Sequence, residues 1–177
     1  MIKLDGVLPF AEGGNRMCFV HPHNPNRCLK VIHPGILTKI RRSKPWYKQL
    51  RSTKSFDDNL REQNAYNQKA LRSDNPEIWN HLAKWYGMIE TNIGIASETE
   101  LIRNNGEIAE TLEEYLFRDG LTNEIKNAIE EFHIWLREHL VLTKNLIPHN
   151  LVLASQKGRL TIKIIDGLET VSYTHLR

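Results

Sequence analysis

The sequence predicts an α+β fold whose first sheet is mostly antiparallel. The first observation is order. Strand-like stretches come early, one helix interrupts them, and helices followed by a hairpin come last, so strands and helices are segregated. The second is "RCLKVI" (27–32), which alternates apolar and polar residues as a half-buried strand does. The third is the stripe Ile125, Ala128, Ile129, Phe132 and Leu136, which repeats at helical spacing.

The elements follow in chain order. Residues 3–10 and 17–20 read as short strands joined by a turn at Gly13-Gly14. "HPHNPN" (21–26) is turn chemistry, so 17–20 and 27–32 form a hairpin with Cys18 and Cys28 on opposing strands, roughly opposite each other. Residues 33–54 are irregular and basic, with Lys39, Arg41, Arg42, Lys44, Lys48, Arg51 and Lys54, and hold at most a short helix. Ser55 opens a helix with Asp58 as its capping partner, and Glu62 falls in the middle of that helix. Residues 79–91 pass from a loop or short helix into a strand, and 92–101 form the next strand. "IRNNGEIA" reads as a connection between lobes. Thr111 and Glu114 make a second capping box, opening a helix that stops at Gly120. The long helix runs from about Thr122 to Leu140, and the hairpin "NLVLASQKGRLTIKIID" follows.

Size and charge bound the function. The chain has 177 residues, 40% hydrophobic and 25% charged, with a net charge of +3. That is room for one domain or two small lobes sharing a cleft. The charge is too weak to imply nucleic acid by itself. No apolar run approaches a membrane span, and "MIKLDGVLPFAEGG" lacks the apolar core of a secretory signal. The expected location is therefore the cytoplasm, where Cys18 and Cys28 are thiols. No His, Cys or acidic pair has zinc-ligand spacing.

Several polar groups suggest chemistry. Lys30 lies in a strand between Leu29 and Val31, and a buried ammonium needs an anion; Glu62 is the candidate. We expect the two to pair at the floor of a cleft between lobes. The Gly13-Gly14 turn lets backbone N–H groups approach a phosphate. Asn150 and Asp166 bracket a hairpin of about six residues per strand, so its ends return to one place. An amide oxygen beside a carboxylate suits Mg²⁺.

In this order, the residues resemble the protein-kinase-like fold, and more closely the YrbL family, small bacterial proteins linked to the PhoP regulatory network. The stretches that carry the resemblance are "EGGNRMCFVHPHNPNRCLKVI", "REQNAYNQ" and "NLIPHNLVL…IIDGLE". It implies a bilobal fold, with residues 1–102 as an N-lobe of antiparallel sheet plus one helix. Residues 103–177 would be a truncated, mainly helical C-lobe carrying the hairpin. "AEGGNRMC" (11–18) would be the phosphate loop, with Gly13 and Gly14 present but Ala11 and Arg16 where glycines are expected. Lys30 would hold the α- and β-phosphates of ATP, with Glu62 as its helix partner. "ETEL" (98–101), through Glu100, would be the hinge that meets adenine. Asn150 and Asp166 would be Mg²⁺ ligands, with Gly167 in place of a Phe.

The departures are specific. The catalytic-loop register reads "TKNLIPHN" (143–150), so Asn145 stands at the catalytic Asp position and Ile147 at the phosphate-contacting Lys. An amide cannot accept a proton as a carboxylate does, and Ile147 cannot neutralise charge on a γ-phosphoryl group. His149, as a histidine, is the candidate for another base, though a loop histidine is the plainer reading; His133 and His139 read as ordinary helix residues. Eleven residues follow Asp166, so no obvious peptide-substrate platform is expected there.

The implied function is a regulatory, nucleotide-binding pseudokinase or a kinase of unusual mechanism, with weak, atypical or absent phosphotransfer. A second reading is a nucleotide-free interaction module that uses the basic 39–54 segment. A third is a small-molecule phosphotransferase, against which Asn145 counts. The expected partners are a nucleotide and a protein or small molecule; a membrane is not expected, and nucleic acid ranks last.

Overall fold

A computed structural model describes residues 1–72, 74–156 and 158–168. The tail "TVSYTHLR", and with it the expectation about a substrate platform, lies outside the described residues. The chain divides into two units: Met1–Gln63 with Trp85–Leu101, and Asn64–Lys84 with the residues from Ile102 onward. The second unit thus takes a segment from the middle of the chain. The result is an α+β fold with an N-terminal antiparallel sheet and several helices.

In the first unit, β1 (Ala11–Glu12), β2 (Arg16–His21), β3 (Asn24–Ile32), β4 (Trp85–Thr91) and β5 (Gly94–Glu100) form an antiparallel sheet in the order β1-β2-β3-β5-β4. Alternation sorts the faces of β3. Leu29 and Val31 pack with Ile2, Leu4, Phe19 and Ala96 into the core of this unit. Cys28 and Lys30 point to the other face, where α3 (Asp58–Tyr66) lies. Between β3 and α3 run two short helices, α1 (Ile36–Arg42) and α2 (Trp46–Gln49), and a 3-10 turn at Thr53–Phe56.

Three expectations are corrected here. Residues 3–10 form no strand, because Gly6 turns the chain at φ 73° and Pro9 has no N–H for a ladder. Instead Ile2 bridges Thr91, and the Leu4 N–H donates to Asn92 Oδ1 at 2.7 Å, so the segment folds over the β4–β5 turn. The helix expected from Ser55 begins three residues later. Its cap is Asp57, whose Oδ1 accepts from the backbone N–H groups of Asn59 and Leu60 at 2.9 and 3.2 Å. Cys18 faces Lys30, and Cys28 faces Val20, rather than each other. The cause is a bulge at Val20/His21, which steps the register from His21↔Asn24 to Val20↔Cys28. The two thiols are still diagonal neighbours on one face.

In the second unit the helix N-caps are decisive. Thr111 and Glu114 satisfy each other's N–H groups and start α4 (Leu112–Asp119), which Gly120 ends. Thr122 accepts from Ile125 N and starts α5 (Asn123–His139). Ile125, Ala128, Phe132 and Trp135 are the buried positions of α5, with Ile129 and Leu136 packed beside them. They meet Leu151, Leu153, Ile162 and Ile164 from the hairpin β8 (Leu151–Gln156) and β9 (Arg159–Ile164). The expected connection at 102–109 is itself a small hairpin, β6 (Arg103–Asn104) and β7 (Glu107–Ile108). Its Asn105-Gly106 turn takes positive φ at both positions, 52° and 90°, as a two-residue hairpin loop requires. Among the described residues, no helix is long and apolar enough to cross a membrane.

Candidate functional site

In the first unit the site grows from the polar face of the sheet. Lys30 Nζ sits 2.5 Å from Glu62 Oε1, and both side chains are buried. The expected ion pair is present. Glu62 does more than hold one lysine: its Oε2 accepts from Arg16 at 3.1 Å and from Ser97 Oγ at 2.8 Å. Asn59, one turn earlier on α3, accepts from Arg16 through Oδ1 and donates through Nδ2 to the carbonyl oxygens of Lys30 and Ile95. This network ties α3 to β2, β3 and β5 and fixes the direction of the Lys30 side chain. The low dielectric there strengthens each charged contact, provided none is left unpaired.

Arg16, Asn59 and Ser97 were not among the expected site residues. The register holds the signal that finds them. Arg16, Cys18 and Val20 share a face by alternation, Cys18 pairs with Lys30, and Lys30 pairs with Ser97. The glycine that the phosphate-loop pattern expects at 16 is thus an arginine spent on the underside of the network.

The Gly13-Gly14 turn closes through Gly13 N donating to Arg16 O at 2.9 Å. His33, just after β3, donates its N–H to Asn15 O and its Nε2 to Gly13 O. Neither glycine takes a positive φ, and a Cβ on Gly14 would meet nothing within 4 Å.

In the segment 98–101, expected as a hinge, Glu98 points to the opposite face of the sheet from Lys30. It accepts from Arg27 at 2.8 Å and lies 3.7 Å from His21 Nε2. The Leu101 N–H donates to Asn26 O. Alternation then turns the backbone groups of Glu100 away from β3.

In the second unit the hairpin does return its two ends to one place. Ile165 N donates to Asn150 O at 3.0 Å, one step beyond the Leu151↔Ile164 pair. Lys144 and Asn145 N–H groups both donate to Gly167 O, and Thr143 bridges Leu168. The segment carrying Asn145 is therefore stitched to the segment carrying Asp166. Asn150 is buried, and its Nδ2 donates to Asn145 O at 2.9 Å, which turns Oδ1 the other way. Asp166 Oδ1 accepts from Gly167 N at 2.7 Å. Gly167 has a physical reason to be glycine: φ is 87°, and a Cβ there would lie 2.4 Å from Asn145 O.

The histidines separate. His149 is exposed and 3.9 Å from Glu113. His133 is exposed on α5, and His139 lies against Trp135. Among the described residues, no group of three or more His, Cys, Asp or Glu could hold a metal ion.

These features define a class: an N-terminal antiparallel sheet with a strand lysine held by a helix glutamate, then helices and an Asn–hairpin–Asp unit, as in a protein-kinase-like fold. The PknI kinase domain of Mycobacterium tuberculosis is similar in structure, with a TM-score of 0.50 at 14% identity over 92% of this chain and 59% of that one. The family described as PhoP regulatory network protein YrbL matches residues 2–177, and the chain belongs to that family. It is 22% identical over 159 residues to the proteins YrbL of Escherichia coli (strain K12) and Shigella flexneri. The alignment covers 86% of this chain, which spans 65% of the length of those curated relatives.

Proposed function

We propose that the protein is a regulatory, kinase-like nucleotide-binding protein whose phosphotransfer is weak, atypical or absent. The observation that carries the reading is the Lys30–Glu62 pair, because a buried lysine fixed by a helix carboxylate is what the kinase-like fold uses to hold α- and β-phosphates. Exposed Gly13 and Gly14, which nothing in the chain itself requires to be glycine, suit a backbone that a phosphate approaches. Glu100 would be the hinge residue that meets a base through its backbone.

The second unit supports a magnesium role. Asn150 and Asp166 bring one amide oxygen and one carboxylate to the end of the hairpin, a hard-oxygen pair of the kind Mg²⁺ takes beside phosphates and water. These residues fit the group, and magnesium would supply charge neutralisation there. Asn145 is exposed and carries no carboxylate, so this chain offers no base at that position.

Thermal melts of the whole chain with ATP, with and without Mg²⁺, test the reading. A nucleotide at a hundred times its dissociation constant stabilises by about 2.7 kcal/mol. For a chain of this size that is a shift of roughly 5–10 °C. Lys30→Met should remove most of it. No shift in wild type would leave the alternative, a nucleotide-free interaction module using the basic 39–54 segment. A small-molecule phosphotransferase ranks third because of Asn145.

A further inference from the structure

Residues 33–56 hold seven of the chain's 24 lysines and arginines and none of its 21 aspartates and glutamates. Their apolar side chains divide. Phe56 is buried, whereas Trp46, Tyr47 and Leu50 are 76%, 55% and 80% exposed. Those three belong to one turn. Trp46 and Leu50 stand four residues apart on the same side of α2, and the Tyr47 ring meets Trp46 edge-on at 6.2 Å. The turn is built rather than loose: Gln49 Nε2 donates to the carbonyl oxygens of Arg42 and Lys44 at 3.3 and 2.8 Å, pinning α2 to the end of α1. Arg42, Lys44 and Arg51 are exposed around it, and Lys48 lies over the Tyr47 ring. The nearest acids in sequence are already engaged. Asp57 caps α3, and Asp58 holds Arg61 and Asn15.

We propose that this tip is a membrane-surface anchor, with Trp46, Tyr47 and Leu50 entering the interface of an anionic leaflet and the flanking cations meeting its phosphates. Tryptophan and tyrosine are at home at that boundary because each ring has an apolar body and a polar edge. A segment with seven cations and no acid complements a plane of anionic headgroups. The shape argues the same way. Three large side chains on a single exposed turn make a convex point, which a deformable bilayer accepts. A folded protein partner would need a broad matching surface. Nucleic acid would leave Leu50 without a role and finds no base-reading helix here. The earlier expectation of no membrane partner rested on the lack of a spanning segment, which says nothing about a tip that lies on the surface.

The test is co-sedimentation of the whole chain with vesicles of phosphatidylglycerol and phosphatidylcholine, against phosphatidylcholine alone, at low and high salt. We expect binding to the anionic vesicles that weakens with salt. Trp46→Ala with Leu50→Ala should reduce it about tenfold or more, since both side chains lose apolar burial. Lys44→Ala and Lys48→Ala should each reduce it about fivefold. Brominated lipid should quench fluorescence in wild type and less in Trp46→Phe. Circular-dichroism melts should be unchanged in all these variants. The proposal is overturned by failure to bind anionic vesicles, or by binding that Trp46→Ala with Leu50→Ala leaves intact. It is equally overturned by tip-dependent retention on single-stranded RNA or an acidic peptide with none on vesicles.

Discussion

Glu62 Oε1 lies 2.5 Å from Lys30 Nζ while Oε2 of the same carboxylate serves Arg16 and Ser97, so one buried anion anchors two cations. The partners are therefore unequal. Removing Lys30 leaves Glu62 paired, whereas removing the carboxylate leaves two cations without their shared anion. Glu62→Gln should cost about 3–5 kcal/mol in urea unfolding. Lys30→Met should cost nearer about 1.5 kcal/mol, the value of one charged hydrogen bond. Equal costs would mean that Arg16 is not part of the network.

Asp166→Asn should abolish any Mg²⁺-dependent part of nucleotide binding, and Asn150→Ala should weaken it less, because an ionised oxygen contributes full charge and an amide only a dipole. Asn145→Asp restores a base on an exposed residue and should raise phosphotransfer if base loss limits it. The double change with Ile147→Lys is the fairer trial, since it also supplies charge for the γ-phosphoryl group. Unchanged nucleotide affinity of Asp166→Asn in Mg²⁺ would show that Asp166-Gly167 is only a turn.

Gly167→Ala places a methyl group 2.4 Å from Asn145 O at a φ of 87°. The left-handed backbone alone costs about 1–2 kcal/mol for a non-glycine residue. With the collision added, the total should exceed about 2 kcal/mol in urea unfolding. Hydrogen exchange should rise at Lys144 and Asn145, whose N–H groups bond to Gly167 O. Slow exchange there in the variant would mean that the close approach is not maintained in solution.

The Cys28 thiol is raised well above its usual range by its hydrogen bond with Cys18, then by burial. Cys18 is only half-buried. Alkylation at mildly alkaline pH should therefore modify Cys18 first and reach Cys28 only on unfolding, read by peptide mass spectrometry. If the diagonal pair is merely packed, mild oxidation leaves this pattern unchanged. Joint protection of both residues after oxidation would instead mark a redox lock beside Lys30.

His81 is lowered chiefly by burial, despite donating Nδ1–H to Ile162 O at 2.7 Å. Its folded pKa lies below the unfolded value of about 6.5, so the unfolded chain binds more protons below that pH. Stability from this group is complete above that value and falls as pH drops through it toward the folded pKa. His81→Asn should flatten that acid limb in urea melts. The same slope in both proteins would assign it to other groups.

Local patterns were readable from the residues. The alternation of 27–32, the Thr111–Glu114 box, the α5 stripe and the hairpin at 151–164 each depend on neighbours within a few positions, and each is present. The Lys30–Glu62 pair was legible through a resemblance of order along the chain. Asn105-Gly106 was a hairpin signal read instead as a connection. The spacing of Ser55 and Asp58 suggests a cap at Ser55, but the helix starts later and its cap is Asp57, which accepts from the N–H groups of Asn59 and Leu60.

What the sequence by itself determined was the longer strands and helices, such as 27–32, α4, α5 and the hairpin at 151–164, and which face of them is apolar, because those depend on period and capping. Only the tertiary structure decided which polar groups meet. The bulge at Val20/His21 sets Cys18 against Lys30, and the approach of α3 to that face gives Glu62 two cations instead of one. The pairing of 143–145 with 167–168 compresses Gly167 against Asn145. Register shifts and long-range contacts are set by the packing of whole elements, and no window of a few residues contains that information.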